Sequence, residues 1–511
     1  MLLLHPLAFF LFLAPGLVPA SRVVRWRGWP AAWSALLAVL PAAAAGAIVF
    51  WAYFFHPAAG RVASTVMLIL STGCLVALCR RGPLREMVLQ PDVAHPLGLM
   101  FLLSAAYLGI LGVLFIAGGS RPDTEVSQLV SNMYVGNDNL IPWYFSEHLY
   151  GGTDPRYLLG DWQSSDRPPL QTGLTLVQRP LADWAGMAIV QYQILGTILQ
   201  STWVLAVWAL GRQLGLNRWR LAVVIGFCTT SSFFIFHSLY VWPKLLAGTL
   251  TIAAVLLLVG RGERAGWVEV LTAALAAGLA IQAHGGAAFA LFGLALYLLL
   301  PSRFPGFAKV LAGLGGCAAV LAPWTAYQRW YDPPGDRLLK WHLAGVIPID
   351  KRPFSQTLRE AYASLSLAEV AEHKWANVQA LVGLPLIEPT YRARGKGWRA
   401  AWKSGEYYNL LKTLGVLNVG WLVLGVSWFR GWGDRSLAAA RTLLAVVFAG
   451  LVLWLLLMFG PGTTMVYQGP YATVIMLYVV LAVAVSALPR ALVAVLLVVQ
   501  LLDLIVIWLI P

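Results

Sequence analysis

The sequence is dominated by apolar runs of membrane-spanning length. They lie at residues 2–19, 33–55, 62–79, 96–118, 186–210, 221–239, 244–260, 267–283, 285–300, 308–326, 410–428, 441–459, 470–488 and 490–510. Each is close to the roughly 20 residues that a helix needs to cross the hydrocarbon of a bilayer. A 511-residue chain with 59% hydrophobic residues cannot bury so much apolar surface in soluble domains. The sequence therefore predicts an all-α polytopic membrane protein with about fourteen transmembrane helices, in a range of about 12–14.

Lys and Arg recur in short clusters between these runs, and the formal net charge is +14. Counting sides from an outward N-terminus puts the clusters in one compartment, which the positive-inside rule assigns to the cytoplasm. The clusters are Arg22, Arg25 and Arg27; Arg80, Arg81 and Arg85; Arg212, Arg218 and Arg220; Arg261 and Arg264; Arg303 and Lys309; Arg430, Arg435 and Arg441; and Arg490. A nucleic-acid-binding protein would gather such charge into one patch, so no nucleic-acid partner is expected.

The same count divides the chain into alternating membrane and loop regions. Residues 1–118, 186–326 and 410–511 form the N-terminal, central and C-terminal helices. Two long polar segments, 119–185 and 327–409, fall on the extracytoplasmic side and are predicted to contain short amphipathic helices at about 140–150, 354–366 and 367–382. The first run lacks a preceding basic region, so a retained helix is expected there instead of a cleaved signal. The four cysteines lie in or beside apolar runs and are expected to be free thiols.

The first of these loops concentrates ionisable residues in a chain that is only 11% charged. Asp138, Glu147, Asp161, Asp166 and Arg167 all fall within it. A carboxylate at a water–membrane boundary suits a general base. Asp138 equally suits the start of the predicted helix at about 140–150, as a cap together with Asn139, and both roles can coexist.

A pair of prolines follows the charged position Arg167. Prolines restrict the backbone, so Pro168 and Pro169 are expected to hold Arg167 extended just before the next apolar run. A guanidinium at such a boundary suits a phosphate, because its planar fork binds two oxygens at once. The alternative is an interfacial arginine that reaches towards lipid headgroups.

The order of these elements resembles the first extracytoplasmic loop of the GT-C glycosyltransferases. It consists of Asp138, an amphipathic helix, Gly160-Asp161-Trp162 and Arg167-Pro168-Pro169-Leu170. The nearest likeness is to the protein O-mannosyltransferase and lipid A aminoarabinose transferase group. The sequence departs from that pattern at Asn139, where many members have Glu, and at Arg167, where they have His or Lys.

This resemblance implies a membrane glycosyltransferase that takes a monosaccharide from a polyprenyl-phosphate carrier. The acceptor would be a cell-envelope glycan, a lipid or a protein, and membrane lipids would surround the enzyme. Asp138 would be the catalytic base. The implied location is a bacterial cytoplasmic membrane with the active site on its extracytoplasmic side.

The resemblance also gives roles to residues outside the first loop. Lys244, at the outward end of a predicted helix, would bind the donor phosphate together with Arg167; the alternative is again contact with lipid headgroups. His284 interrupts an apolar region on the same side and is a candidate for the site or for a structural hydrogen bond. The remaining candidates, for the acceptor entrance, are Lys340, His342, Tyr467 and Gln468.

Two tryptophans and one aspartate are further candidates. Trp143 and Trp162 share the loop with the carboxylates and are candidates to hold a sugar ring or an isoprenoid. Asp503, in the last apolar run, has no assigned role beyond a polar contact between helices.

Two other functions remain open from the sequence. One is a polysaccharide polymerase or ligase that uses diphosphate-linked glycans, and the other is a flippase or transporter of lipid-linked sugars. Transporters place polar sites near the middle of the membrane, often in two matching halves, and this chain shows neither. No cofactor is expected, and the sequence leaves a divalent metal open.

Overall fold

A computed structural model describes residues 4–80, 82–115, 138–260, 265–384, 397–430 and 434–509. Within these ranges the regular secondary structure is helical apart from two short antiparallel strands, Tyr157–Leu159 and Trp162–Gln163. The predicted all-α class is therefore confirmed. Residues 116–137, which include the end of the fourth apolar run and the start of the first polar segment, lie outside the described residues.

Nine helices in the described part of the chain are long and apolar enough to cross a membrane. They are Leu4–Arg27, Trp33–Phe55, Pro57–Cys79, Pro91–Gly112, Ala188–Gln213, Phe307–Tyr331, Leu410–Phe429, Arg435–Leu457 and Arg490–Leu509. A tenth candidate is the pair Arg218–Thr229 and Ser232–Leu239, which is bent by 58°. Shorter apolar helices cover Lys244–Val259, Trp267–Ala283, Ala287–Leu298 and Tyr471–Val485. Every predicted apolar run thus coincides with a helix or helix pair, but the total of fourteen spans stays a prediction.

The core and the periphery of the bundle differ sharply in burial. Ala188–Gln213 is 94% buried in its apolar window, and every residue of Tyr471–Val485 is buried. By contrast, Pro57–Cys79 is only 11% buried and Phe307–Tyr331 only 6% buried, although both are strongly apolar. Apolar helices with exposed side chains are what a lipid environment stabilises. These two helices therefore lie at the edge of the bundle.

The polar segments contain shorter helices, three of them where the periodicity predicts a helix. The helices are Ile141–Gly151, Leu170–Val177, Arg179–Ala185, Arg337–Ala344, Phe354–Ala363, Leu367–Val382 and Trp398–Tyr408. Local sequence explains their ends: Ser366 and Glu369 form a reciprocal capping box at the start of Leu367–Val382, and Gly383 ends that helix with φ +86°.

Loops that are predicted to lie on the same side of the membrane are in contact with one another. On the side assigned to the cytoplasm, ion pairs join Arg27 to Glu269 at 2.8 Å, Arg212 to Asp92 at 3.0 Å and Arg220 to Asp434 at 2.6 Å. Each pair connects regions far apart in sequence. The contacts therefore agree with the parity of the basic clusters.

The two long polar segments also pack together. The carboxylate of Asp332, at the start of the second segment, accepts hydrogen bonds from Ser164 Oγ and from the backbone N–H of Ser165, both at 2.8 Å. The Gln328 side-chain amide donates to the Ser165 carbonyl at 2.9 Å. The described parts of the two segments thus form one cap over the bundle, and this cap positions the candidate site.

Candidate functional site

Asp138 forms an ion pair with Arg167. The Arg167 Nη2 donates to Asp138 Oδ2 at 2.8 Å. The expectation that Asp138 and Asn139 cap the following helix is wrong. A 3-10 turn, Asp138–Leu140, precedes the helix, so Leu140 occupies the cap position without a side-chain bond. The turn places the Asp138 carboxylate outside the helix start and beside the guanidinium.

Arg167 has the extended backbone that the two prolines predict, with φ −124° and ψ 115°. Its side chain is 9% exposed, and its guanidinium carbon lies 4.1 Å from the centre of the Trp162 ring. Within the described part of the chain its Nε is buried and has no hydrogen-bond partner. A buried donor without an acceptor costs about 1–3 kcal/mol. Arg167 is therefore strongly held but incompletely satisfied.

Lys244 is the first residue of the buried helix Lys244–Val259, as predicted, and is only 2% exposed. Its amine donates to the backbone carbonyl of Tyr467 and lies 3.9 Å from the centre of the Trp242 ring. No carboxylate of the described residues forms an ion pair with it. A lysine so deeply buried without an ionic partner is rare.

Trp242 brings the two basic side chains together. The guanidinium of Arg167 lies 5.6 Å from the Trp242 ring centre, and Lys244 contacts the same indole. Val241, just before it, has φ +52°, which is uncommon for a β-branched residue, and the Gln171 side chain fixes its carbonyl at 2.7 Å. Such backbone strain clusters at functional sites. The convergence that the sequence predicts for Arg167 and Lys244 is thus present in the geometry; their shared phosphate stays a prediction.

Several other predicted residues lie around this pair. The His284 ring is 5.7 Å from the Trp242 ring, although its Nδ1 also accepts from the backbone N–H of Gly286 at 3.0 Å. The Tyr467 ring is 6.2 Å from Trp242, and the Gln468 side chain donates to the Tyr467 hydroxyl at 2.8 Å. His284, Tyr467 and Gln468 therefore border the site.

His342 lies within electrostatic reach of the same site. Burial, and then the positive charges of Lys244 and Arg167, lower the pKa of His342 to about 4. Its Nδ1 is buried and has no partner among the described residues. The imidazole is therefore neutral at pH 7.

Other predicted site residues instead form ion pairs and hydrogen bonds that stabilise the cap. Arg337 binds the carboxylates of both Asp161 and Asp166, and the Asp166 carboxylate also accepts from the Gln163 backbone at 3.1 Å. Burial raises the pKa of Asp166. Glu147 pairs with Arg179.

Lys340 also belongs to this structural group. It is fully buried, pairs with Asp336 at 2.8 Å and donates to the carbonyls of Asp350 and Arg352 at 2.7 and 2.6 Å. These bonds tie the helix Arg337–Ala344 to the loop that follows it. None of these contacts joins Lys340 to Asp138, Arg167 or Lys244.

The aromatic residues of the first loop separate into two roles. Trp162 covers the Arg167 guanidinium, whereas Trp143 packs against a small cluster of Leu140, Tyr192 and Val241. Asn139 is buried, and its carbonyl accepts from the Tyr192 hydroxyl. Trp143 and Asn139 thus support the turn that carries Asp138.

Sequence reasoning missed two parts of this region. Trp242 was not singled out, although a tryptophan two residues before an isolated lysine in an apolar stretch is a usable signal for a cation–π contact. The surroundings of Asp503 were also missed: Trp402 Nε1 donates both to Asp503 Oδ1 at 3.1 Å and to Glu406 Oε1 at 2.8 Å. Burial and the Asp503 carboxyl raise the pKa of Glu406 well above its usual value. Asp503 thus joins the last helix to the helix Trp398–Tyr408.

The site combines a carboxylate, two buried basic side chains and an aromatic wall. Such a set can hold an anion and accept a proton. Within the described ranges no group of three or more His, Cys, Asp or Glu residues is arranged to hold a metal ion. Comparisons with protein-family models, with curated proteins and with solved structures find no match to this chain.

Proposed function

We propose that this protein is a membrane glycosyltransferase that moves a monosaccharide from a polyprenyl-phosphate carrier to an acceptor hydroxyl on the extracytoplasmic side. One observation carries the proposal: Arg167 and Lys244, both buried, contact the same Trp242 indole beside the Asp138 carboxylate. A buried phosphate needs such partners, because it is costly to remove from water without them.

The charge of the site supports a carrier with one phosphate group. A bound phosphate favours the ammonium form of Lys244, because an opposite charge stabilises the charged form. Arg167 and Lys244 with the Asp138 carboxylate then leave one net positive charge. A sugar phosphodiester carries one negative charge, whereas a diphosphate carries two. The balance therefore favours a monophosphate donor over the diphosphate-linked glycans of a polymerase or ligase.

The proposed reaction is a displacement at the anomeric carbon of the sugar. The acceptor hydroxyl gives its proton to the Asp138 carboxylate, and its oxygen forms the new bond to carbon. The bond from that carbon to the phosphate oxygen breaks, and its electron pair leaves with the polyprenyl phosphate. Arg167 and Lys244 stabilise the charge that develops on this leaving group. The acceptor, whether glycan, lipid or protein, stays open.

The proposal requires the cap to face outwards. Ser355, at the start of the helix Phe354–Ala363, is exposed, whereas the other suitable labelling position, Ser127, lies outside the described residues. We expect Ser355→Cys to react with a membrane-impermeant maleimide in intact cells. Reaction only after permeabilisation would place the cap, and with it the proposed site, in the cytoplasm.

One observation bears on the transport alternative. Helix Arg218–Thr229 and helix Ser232–Leu239 meet at a 58° bend, and broken helices are common at transporter sites. Here the break is closed by protein contacts, since Ser231 Oγ lies 2.8 Å from the Tyr478 hydroxyl. The bend is thus a weaker argument for transport than the Trp242 region is for transfer.

Mass spectrometry of cell-envelope glycans tests the function. Cells without this protein should lack one monosaccharide substituent, and expression of the wild-type chain should restore it. Expression of an Asp138→Asn variant at the same membrane level should not restore it. Accumulation of diphosphate-linked glycans would favour the polymerase or ligase instead. Loss of the substituent with lipid-linked sugar retained on the inner leaflet would favour transport.

A further inference from the structure

Arg167 has two anionic partners if the proposed function holds, and the inference below rests on that function. Its guanidinium pairs with Asp138, and it is also the group that binds the donor phosphate. The geometry of the ion pair decides whether both partners fit at once.

The Asp138–Arg167 pair uses only half of one guanidinium edge. Nη2 donates to Asp138 Oδ2 at 2.8 Å, while the neighbouring Nε is buried and has no partner in the described part of the chain. Arg156, in the same loop, shows the complete arrangement. Its Nε donates to Asp154 Oδ1 at 3.0 Å and its Nη2 donates to Asp154 Oδ2 at 2.5 Å, so both oxygens of the carboxylate are bound. Asp138 therefore accepts one hydrogen bond at a guanidinium edge that can donate to two oxygens.

A phosphate is a better match for this edge. It presents two or more oxygens to the parallel Nε and Nη2 donors, and it satisfies the buried Nε at the same time. To do so it needs the Nη2 donor that Asp138 now occupies. Lys244, on the neighbouring Trp242 face, adds attraction for the phosphate.

We propose that the donor phosphate takes the Nε–Nη2 edge of Arg167 and displaces the Asp138 carboxylate, which then becomes the base for the acceptor hydroxyl. The exchange couples the two substrates: the carboxylate is engaged by the guanidinium until the donor binds. The donor therefore binds first and the acceptor second.

Binding of farnesyl phosphate to the purified full-length protein, measured by isothermal titration calorimetry, tests the exchange. If Asp138 competes with the phosphate, Asp138→Asn should bind farnesyl phosphate about tenfold more tightly, since the wild-type protein must first break a charge-assisted hydrogen bond. In an Arg167→Gln background the same Asp138→Asn change should have no effect. Asp154→Asn, which alters an exposed pair in the same loop, is the matched control and should bind like the wild type.

Equal or weaker binding by Asp138→Asn would overturn the exchange and would mean that Asp138 only orients Arg167. A second measurement uses the wild-type chain and needs no variant to fold. Carbodiimide-promoted amine labelling of Asp138, read by peptide mass spectrometry, should rise when farnesyl phosphate is added. Unchanged or lower labelling would also overturn the exchange.

The two proposals fail in different ways. If farnesyl phosphate binding is measurably weakened in Arg167→Gln and in Lys244→Gln but is not improved by Asp138→Asn, the exchange is wrong and the phosphate site stands. If the wild-type protein does not bind farnesyl phosphate, the proposed donor site is wrong and the exchange falls with it.

Discussion

Two arginines lie near the ring of Trp162 and differ in how well they are satisfied. The Arg167 guanidinium carbon is 4.1 Å from the ring centre, and that of Arg337 is 5.3 Å away. Arg337 donates to the Asp161 carbonyl at 2.6 Å, to Asp166 Oδ2 at 3.2 Å and to the Ile347 carbonyl at 3.2 Å. It also binds the Asp161 carboxylate. All three of its nitrogen atoms are thus engaged.

Arg167 has the same burial and far fewer bonds. It makes one ion-pair contact with Asp138, and its buried Nε has no partner among the described residues. Folding alone does not explain such an arginine, because leaving a buried donor unpaired destabilises the folded state. The comparison teaches that the donors of Arg337 are used to hold the two loops together, whereas Arg167 keeps a donor that the proposed phosphate would use.

The largest expected effect is a loss of sugar transfer, and it should distinguish Asp138 from Asp166. Asp138→Asn removes the proposed base, and a positioned base supplies about a hundred- to ten-thousand-fold in rate. Sugar transfer by the purified variant should therefore fall at least about a hundredfold. Asp138 makes no capping bond, and an asparagine amide oxygen can still accept the hydrogen bond from Arg167, so the thermal stability of the variant should fall only slightly.

Asp166→Asn should have the opposite effects on stability and transfer. Asp166 is held by Arg337 and by the Gln163 backbone, so this change should lower thermal stability while transfer per folded molecule stays near normal. Near-normal transfer by Asp138→Asn would move the base elsewhere.

The contrast between Arg167 and Arg337 also shows what sequence can predict. The two prolines fix the extended backbone at Arg167, and apolar periodicity gives the helices, because both signals are local. The sequence alone does not show that Arg337 would bind Asp161 and Asp166 from about 170 residues away. Both carboxylates were therefore rivals of Asp138 until the fold paired them. Trp242 was missed for the same reason, since its role depends on contact with Arg167, which is distant in sequence.

The second prediction concerns the stability of the two arginine variants. Arg337→Gln leaves Asp166 buried without its ionic partner, and removing one member of a buried pair costs about 3–5 kcal/mol. Arg167→Gln removes one charge-assisted hydrogen bond to the partly exposed Asp138 carboxylate and should cost less, about 1.5–3 kcal/mol. Chemical or thermal unfolding in detergent measures both.

Transfer assays should give the reverse order for the two positions. Arg167→Lys keeps the charge but loses the two-point fork, so transfer should fall about tenfold. Arg337→Lys should mainly lower stability. Equal stability losses at positions 167 and 337 would remove the distinction between a binding and a structural arginine.

The third prediction uses pH. The pKa of His342 is about 4 in the folded protein and 6.5 in an unfolded chain. As pH falls through this interval, the unfolded state binds the proton first, so the free energy of unfolding decreases, by at most about 3 kcal/mol. His342→Gln should flatten the pH profile between about pH 6.5 and pH 4. The exposed His56 provides the control, and a His342→Gln profile as steep as that of His56→Gln would contradict the prediction.

The smallest expected effect concerns Asp161, whose carboxylate is 72% exposed although it contacts the same arginine as Asp166. Exposed ion pairs contribute about 0–1 kcal/mol, because water screens the charges and competes for the hydrogen bonds. Asp161→Asn should therefore change the free energy of unfolding by less than about 1 kcal/mol and leave transfer unchanged. Added salt should remove most of this small difference, since screening acts on exposed charges first. A loss as large as that of Asp166→Asn would show that Arg337 depends on its exposed partner, and the cap would then be held together at its surface instead of at its buried Arg337–Asp166 contact.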